Sequence, residues 1–505
     1  MTSRSKKPTA ITVQCVSADE VGTQSRENSH FSRNFVRVFF SLYFVLGLGM
    51  IGLTPPFQSP DAFAHFDRAF GISQGQLITT TARGVPGDTF PVGVIQMEDI
   101  FSAMAEGRSV TATKYEYVYG WHQTWNMPLY FTNFDTGGNI PFLYLPQSLG
   151  IVVGRIFSSH LLVGYYLAEI LNLLTFVVLT KWALSRFPRR LAFPLGVFLL
   201  LPMVNSLAIS INPDCLLLAL SMVFAASIYS GYSESRKSES RPPLVDDGKP
   251  RVHLRHVLTN ANYQIGFVSL LLMALEKPPL LLLGLLLPLA DLHSNLRRYF
   301  RRALLFMVSA AVTYEVWTKF GAGPQGKPVP LIGVSPARQL TLVLTNPLKD
   351  VDVLIQTFRT YGLLDWKEFI AGIGWLDTWF PSWFYVFASI VFVLALLSAV
   401  SIGRRHVGRT IWSLSVWALV AVVLMFTFYL VDSQYSLPTI IGLQGRYFLP
   451  LVPTLVVLLG LESTRSPRFR TLASTVEEFA GISLICLQAW MGTAFAMTVL
   501  HRYWL

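Results

Sequence analysis

Val36–Leu53 runs for 18 residues with a single charge, Arg37. An α-helix needs about 18–20 apolar residues to cross the hydrocarbon of a bilayer. Similar apolar stretches recur to the end of the chain. Inside lipid every backbone N–H and C=O must find a partner within the protein, so such stretches fold as helices. Mean hydropathy is +0.47 and charged residues make up 14%, against about 25% in soluble domains. The chain reads as an all-α polytopic membrane protein.

Residues 1–35 are polar, rich in Ser and Thr and without periodicity, and read as a disordered tail. Residues 36–500 read as one membrane domain of about eleven transmembrane helices. After Val36–Leu53 the expected spans are Leu161–Leu184, Leu191–Ile209 and a fourth ending at Tyr232. Tyr263–Leu275, Pro278–Leu292 and Ala303–Phe320 follow, then Trp383–Ile402, Ile411–Val431, Tyr447–Leu461 and Val476–Leu500. Two longer segments, 55–159 and 321–383, become outer-face loops. Pro141–Phe157 is apolar but short for a span, and reads as a helix lying in the outer interface.

The net charge of +11 is not spread as a nucleic-acid surface would be. More than half of the 40 lysines and arginines fall in the tail and in the loops around residues 185–190, 233–258, 291–302, 403–409 and 463–470. With the assigned spans all of these lie on one side. That is the positive-inside pattern, which puts the N-terminus of a multi-pass membrane protein in the cytoplasm; the resemblance described below implies a bacterial cytoplasmic membrane. Nucleic acid is excluded as a partner. Cys15, Cys215 and Cys486 lie far apart and suggest neither a disulfide framework nor a zinc site. No phosphate-binding P-loop, serine-hydrolase elbow or dinucleotide fingerprint is present, which argues against nucleotide chemistry.

The polar residues not explained by inner-face charge gather on the opposite side. Thr54-Pro55-Pro56-Phe57-Gln58-Ser59-Pro60-Asp61 follows the first span, with His65, Asp67 and Arg68 just beyond. Asn212 and Asp214 mark the turn after the third span, and Glu276 and Lys277 the turn after the fifth. Asp377 ends the second outer loop and Arg446 opens the tenth span. Ionisable residues at such depth are candidates for function. Two readings compete for Asp61: a cap for the helix that follows, and a general base for an acceptor hydroxyl. His65, four residues on, shares its helical face, whereas Asp67 lies on another. Asp61, His65 and Asp67 together are a weaker candidate for a divalent metal. Arg446 and Lys277 are the cations suited to a lipid phosphate. Tyr115, Tyr117, Tyr119, Trp121, Trp125, Tyr130 and Phe131 suit either sugar stacking or an interfacial belt.

Several motifs carry a resemblance. In order they are Pro60-Asp61 with His65 and Arg68-Ala69, Leu145-Pro146 ahead of Gly164-Tyr165-Tyr166-Leu167, Asn212-Pro213-Asp214 and Lys277-Pro278. Gly374-Trp375-Leu376-Asp377 and Gln444-Gly445-Arg446-Tyr447-Phe448-Leu449-Pro450 complete the set. From about residue 36 to 500 the chain resembles the bacterial membrane family known as domain of unknown function 2142. That family in turn resembles the GT-C glycosyltransferases, multi-span enzymes that take sugars from polyprenyl-phosphate donors. The resemblance implies Asp61 as catalytic base or metal ligand; Asp67 is the candidate for a second acid in place of the one missing at Ala62. It implies Lys277 and Arg446 on the donor phosphate; His65, Arg68 and Asp377, from the motifs on the same side, are further substrate-binding candidates. The implied partners are a polyprenyl-phosphate sugar, an envelope glycan or lipid acceptor, and membrane lipid. No nucleotide cofactor is implied, and a divalent metal stays open. Two positions depart from the family pattern. Ala62 stands where an acid usually follows Pro-Asp, and Glu169 stands where an arginine is common. The alternatives are a transporter or flippase of lipid-linked glycans and an inactive envelope-assembly scaffold.

Overall fold

The computed structural model describes residues 30–82, 85–105, 110–239, 261–290, 296–321, 332–400, 407–461 and 467–505. Most of the expected tail, much of the 233–258 loop and the 403–406 stretch lie outside them.

The fold is mainly helical. Helix α1 (Arg33–Leu53) starts where the Ser32 hydroxyl accepts from Phe35 N–H at 3.1 Å. It stops at Pro55-Pro56, where the chain lacks the N–H groups a helix needs. Val36, Phe39, Phe40, Tyr43, Gly47 and Met50 form its buried stripe, at the three-and-four spacing of one helical face. Val38 and Val45 on the other side are exposed, as residues facing lipid would be.

Among the described residues six helices are long and apolar enough to cross a membrane: Arg33–Leu53, Leu161–Leu184, Asp214–Ser235, Ser382–Ala399, Thr410–Val431 and Glu478–Tyr503. A bent pair, Arg189–Leu199 and Pro202–Ile209, makes a seventh if it crosses as one, with a 68° turn between its halves. Pro202 opens the second half and accounts for the break. Ala261–Glu276, Pro278–Leu289 and Gly445–Leu459 are apolar but shorter. Sixteen residues of α-helix rise only about 24 Å, short of a hydrocarbon core of about 30 Å. Hydropathy alone does not separate these short elements from full spans; together with the expected span Ala303–Phe320, which falls largely in the helix Leu296–Val316, they account for the expectation of about eleven.

The segment 55–159 is more ordered than a loop. It holds α2 (Ala62–Ser73), α3 (Val92–Ser102), α4 (Lys114–Trp121) and α5 (Leu145–Phe157). It also holds a small antiparallel sheet absent from the sequence reading, β1 (Thr80–Ala82), β2 (Val85–Pro91) and β3 (Leu129–Asn133) in that order. Helix α5 lies where a short helix was expected and packs along α6 (Leu161–Leu184). The segment 321–383 is likewise helical in large part, with helices at Pro336–Thr345 and Pro347–Ala371.

Candidate functional site

Asp61 sits at the N-cap position of α2 with φ 56°, in the left-handed region, and its side chain makes no capping bond. Its carboxylate meets a distant cation: Arg446 Nη2 donates to Asp61 Oδ2 at 3.0 Å. The capping reading of Asp61 is therefore right about position and wrong about the side chain. Only 3% of the Arg446 side chain is exposed, against 58% for Asp61, so the pair opens to its surroundings on the carboxylate side.

Arg446 is held from several directions. Its Nε donates to Gln444 Oε1 at 2.6 Å, and its guanidinium lies 5.2 Å from the centre of the Tyr447 ring. Tyr447 stacks on Phe428 at 4.6 Å. Gly445 N–H donates to Glu368 Oε2 at 2.9 Å, near the end of the helix Pro347–Ala371. A Cβ on Gly445 would strike the Asp365 carbonyl, so this close approach needs glycine. Burial, with Glu368 nearby, pushes the Asp365 carboxyl up to about 7.

The second cation is Lys277, whose Nζ donates to Asp214 Oδ1 at 2.6 Å and lies 4.7 Å from the centre of the Tyr447 ring. One tyrosine ring thus lies near both cations. Asn212 accepts from Cys215 N–H at 2.9 Å, an N-cap bond that fixes Asp214 in the first turn of its helix.

His65 feels the charges of both ion pairs, Asp61 and Arg446 on one hand and Asp214 and Lys277 on the other. Burial outweighs the two carboxylates and holds its imidazole down at about 4, so His65 is neutral at ordinary pH. Its Nδ1 lies 2.8 Å from Tyr144 Oη. Asn139 Nδ2 donates to the same phenol at 3.0 Å and to Glu276 Oε1 at 3.2 Å. The phenol proton is then available to Nδ1, leaving the imidazole proton on Nε2.

The other three predicted residues lie elsewhere. Arg68 is fully buried and donates to the carbonyls of Asn139, at 2.8 Å from Nη2, and of Leu77 at 2.9 Å. It fixes the backbone of Asn139 and acts electrostatically on Tyr144 and Glu276. Asp67 faces the sheet side of α2 and hydrogen-bonds Glu98 of α3; burial raises both carboxyls well above their usual range. Two carboxyls that share a hydrogen bond need a proton between them. Asp377 organises its own turn, accepting from Trp375 N–H at 3.1 Å and Thr378 Oγ1 at 3.0 Å, with Arg502 Nη2 at 3.6 Å.

That turn has a further role. Trp375 Nε1 donates to the Phe57 carbonyl at 2.9 Å, and Phe57 N–H donates to Tyr165 Oη at 2.7 Å. Phe57 itself has φ 63°. The Gly-Trp-Leu-Asp and Gly-Tyr-Tyr-Leu motifs therefore grip the turn that leads into Asp61. Gly374, at φ 65°, takes a conformation that costs a glycine little.

The donor set proposed for a metal does not assemble. Asp67 is turned towards Glu98 and His65 Nδ1 is engaged by Tyr144. Among the described residues no three His, Cys, Asp or Glu side chains come together as metal ligands. Tyr144, Asn139 and Glu368 were missed by sequence reasoning; only the adjacent Leu145-Pro146 motif points towards Tyr144.

The profile of DUF2142, described as a predicted membrane protein, matches residues 44–245 and 252–455. The chain belongs to the DUF2142 family. Both matched blocks contribute to the site, Asp61, His65 and Asp214 from the first and Lys277 and Arg446 from the second. The DUF2142 match also covers the gripping motifs around Tyr165 and Trp375. No curated protein and no solved structure matches the chain.

Proposed function

We propose that this DUF2142 protein is a GT-C-like glycosyltransferase of the bacterial cytoplasmic membrane. In this reading the N-terminus is cytoplasmic and the Asp61 site faces outward. The enzyme moves a sugar from a polyprenyl-phosphate donor to an envelope glycan or lipid. The observation that carries the reading is the exposed Asp61 carboxylate against the buried Arg446 guanidinium, with Lys277 held beside them over Tyr447.

The donor phosphate takes the place of Asp61 on Arg446, because guanidinium matches phosphate oxygens in charge and geometry. Asp61, released, accepts the proton of the acceptor hydroxyl. The hydroxyl oxygen bonds to the anomeric carbon while the carbon–oxygen bond to phosphate breaks. Its electron pair leaves on polyprenyl phosphate, which Arg446 and Lys277 stabilise. A single displacement of this kind inverts the anomeric centre. Neutral His65, with its proton on Nε2, is a donor to a sugar hydroxyl or phosphate oxygen. No nucleotide takes part.

The test compares glycolipid and polysaccharide fractions by mass spectrometry from cells with the wild-type protein, Asp61→Asn or none. Loss of the same sugar-sized mass in the null and Asp61→Asn strains is expected. Full transfer by a folded Asp61→Asn protein would overturn the role of Asp61. The 68° break at Leu200–Leu201 favours a second reading, transport of a lipid-linked glycan, since broken helices line transporter sites. Translocation in vesicles with unchanged lipid product would favour it.

A further inference from the structure

A cavity separate from the Asp61–Arg446 cluster lies between α1, α6 and the last helix. Its lining includes Thr54, Gln58, Ser59, Tyr165, Glu169 and Ser210. The space inside is that of one water-sized particle, too small for a sugar or a lipid headgroup.

Glu169 is buried, and no lysine, arginine or histidine lines the cavity with it. The groups acting on its carboxyl are burial and a hydrogen bond with Tyr165. Tyr165 Oη already accepts from Phe57 N–H, so its single proton goes to Glu169. Gln58 is 4% exposed and Ser59 2%. Gln58 Nε2 donates to the carbonyls of Pro56 at 3.2 Å and Phe101 at 3.1 Å, which fixes the amide. Gln58 Oε1, Ser59 Oγ and Thr54 Oγ1 are all buried without a hydrogen-bond partner among the described residues. An acidic side chain in an apolar bundle is costly unless its charge is balanced. Either a proton or a hard monovalent cation can supply that balance, and the three unpartnered oxygens beside the carboxyl favour the cation, because a proton on Glu169 would leave their lone pairs unused. A divalent ion asks for more negative charge than one carboxylate provides, and an anion finds no positive partner.

We propose that this cavity binds a sodium ion, held by Glu169, Gln58 Oε1, Ser59 Oγ and Thr54 Oγ1. Thr54 and Ser59 flank the turn that Tyr165 and Trp375 grip, so the ion ties both ends of the segment leading into Asp61. Such a bound ion would be present whether or not the protein transfers sugar.

Thermal unfolding of the purified full-length protein in detergent tests it, in NaCl or choline chloride at equal ionic strength. A saturating rise of about 2–4 °C is expected with sodium and none with choline. Glu169→Gln should abolish the rise, and Ser59→Ala should raise the half-saturating NaCl concentration about tenfold. Equal melting temperatures of the wild type in the two salts would mean that the cavity holds only water, and would overturn the proposal. A sodium response kept in full by either variant would place the ion elsewhere and overturn it too. If Glu169→Gln fails to fold, the wild-type comparison and Ser59→Ala still decide.

Discussion

Asp61 begins a helix, yet its carboxylate bonds Arg446, 385 residues further along the chain. A left-handed backbone costs most residues about 1–2 kcal/mol, less for Asp. Here that conformation comes with a carboxylate turned off the helix N-terminus and onto a buried guanidinium. A residue that could have stabilised its own helix is instead placed in an ion pair beside Lys277 and Asp214.

Arg446→Ala is expected to lower transfer by about a hundredfold or more, the scale of losing a donor to a developing anion. Arg446→Lys should recover little, because one ammonium cannot serve both Gln444 from Nε and Asp61 from Nη2. Product yield by mass spectrometry, normalised to folded protein, checks this. Full activity of the lysine variant would show that fork geometry does not matter.

Gly445→Ala should destabilise the protein by about 1–3 kcal/mol, since the new methyl meets backbone of Asp365 and Phe369 rather than a yielding side chain. A lower melting temperature with reduced transfer is expected. An unchanged melting temperature would mean that the helix Pro347–Ala371 moves away at no cost.

Trp375→Phe and Tyr165→Phe each remove one bond to the Phe57 backbone while keeping an aromatic side chain, and Tyr165→Phe also removes the hydrogen bond to Glu169. Each should cost about 1 kcal/mol and loosen the turn before Asp61. Transfer should fall further than stability predicts. Parallel loss of both would make these residues purely structural.

Stability should also depend on pH through Asp67 and Glu98. Both carboxyls are raised, chiefly by burial, so the fold keeps protons that the unfolded chain releases above about pH 4. Their contribution is full below that pH and falls as pH rises towards their folded values, by up to about 1.4 kcal/mol per unit for each proton held. His65, held down at about 4, acts in the opposite sense. Its contribution is full above about pH 6.5 and is lost as pH falls. Melting temperatures between about pH 5 and pH 8 for wild type and the Asp67→Asn/Glu98→Gln double variant separate the two effects. The double variant should lose the decline towards high pH; an unchanged profile would show that the pair does not carry it.

The motifs in the sequence pointed to most of the site but not to its partners. Asp61, His65, Lys277 and Arg446, charged or polar residues at the same ends of apolar runs, come together in the structure. Arg68, Asp67 and Asp377 carried equal weight in the sequence, and they turn out to brace Asn139, pair with Glu98 and shape the Trp375 turn. A one-residue step round a helix moves a side chain by about 100°. His65 and Asp67 therefore face different neighbours although they sit two positions apart. The sheet of β1, β2 and β3 stayed hidden because its strands are short and β2 carries Pro86 and Gly87, residues that weaken a strand signal.

Sequence by itself determined that this chain is helical and lives in a membrane. Long apolar runs leave the backbone no other way to satisfy its hydrogen bonds in lipid. The tertiary structure decided which polar residues meet. Contacts such as Asp61 with Arg446, Lys277 with Asp214 and Phe57 with Trp375 join segments hundreds of residues or several helices apart. Those meetings depend on how the helices pack and where short elements such as Gly445–Leu451 stop, which no local periodicity records.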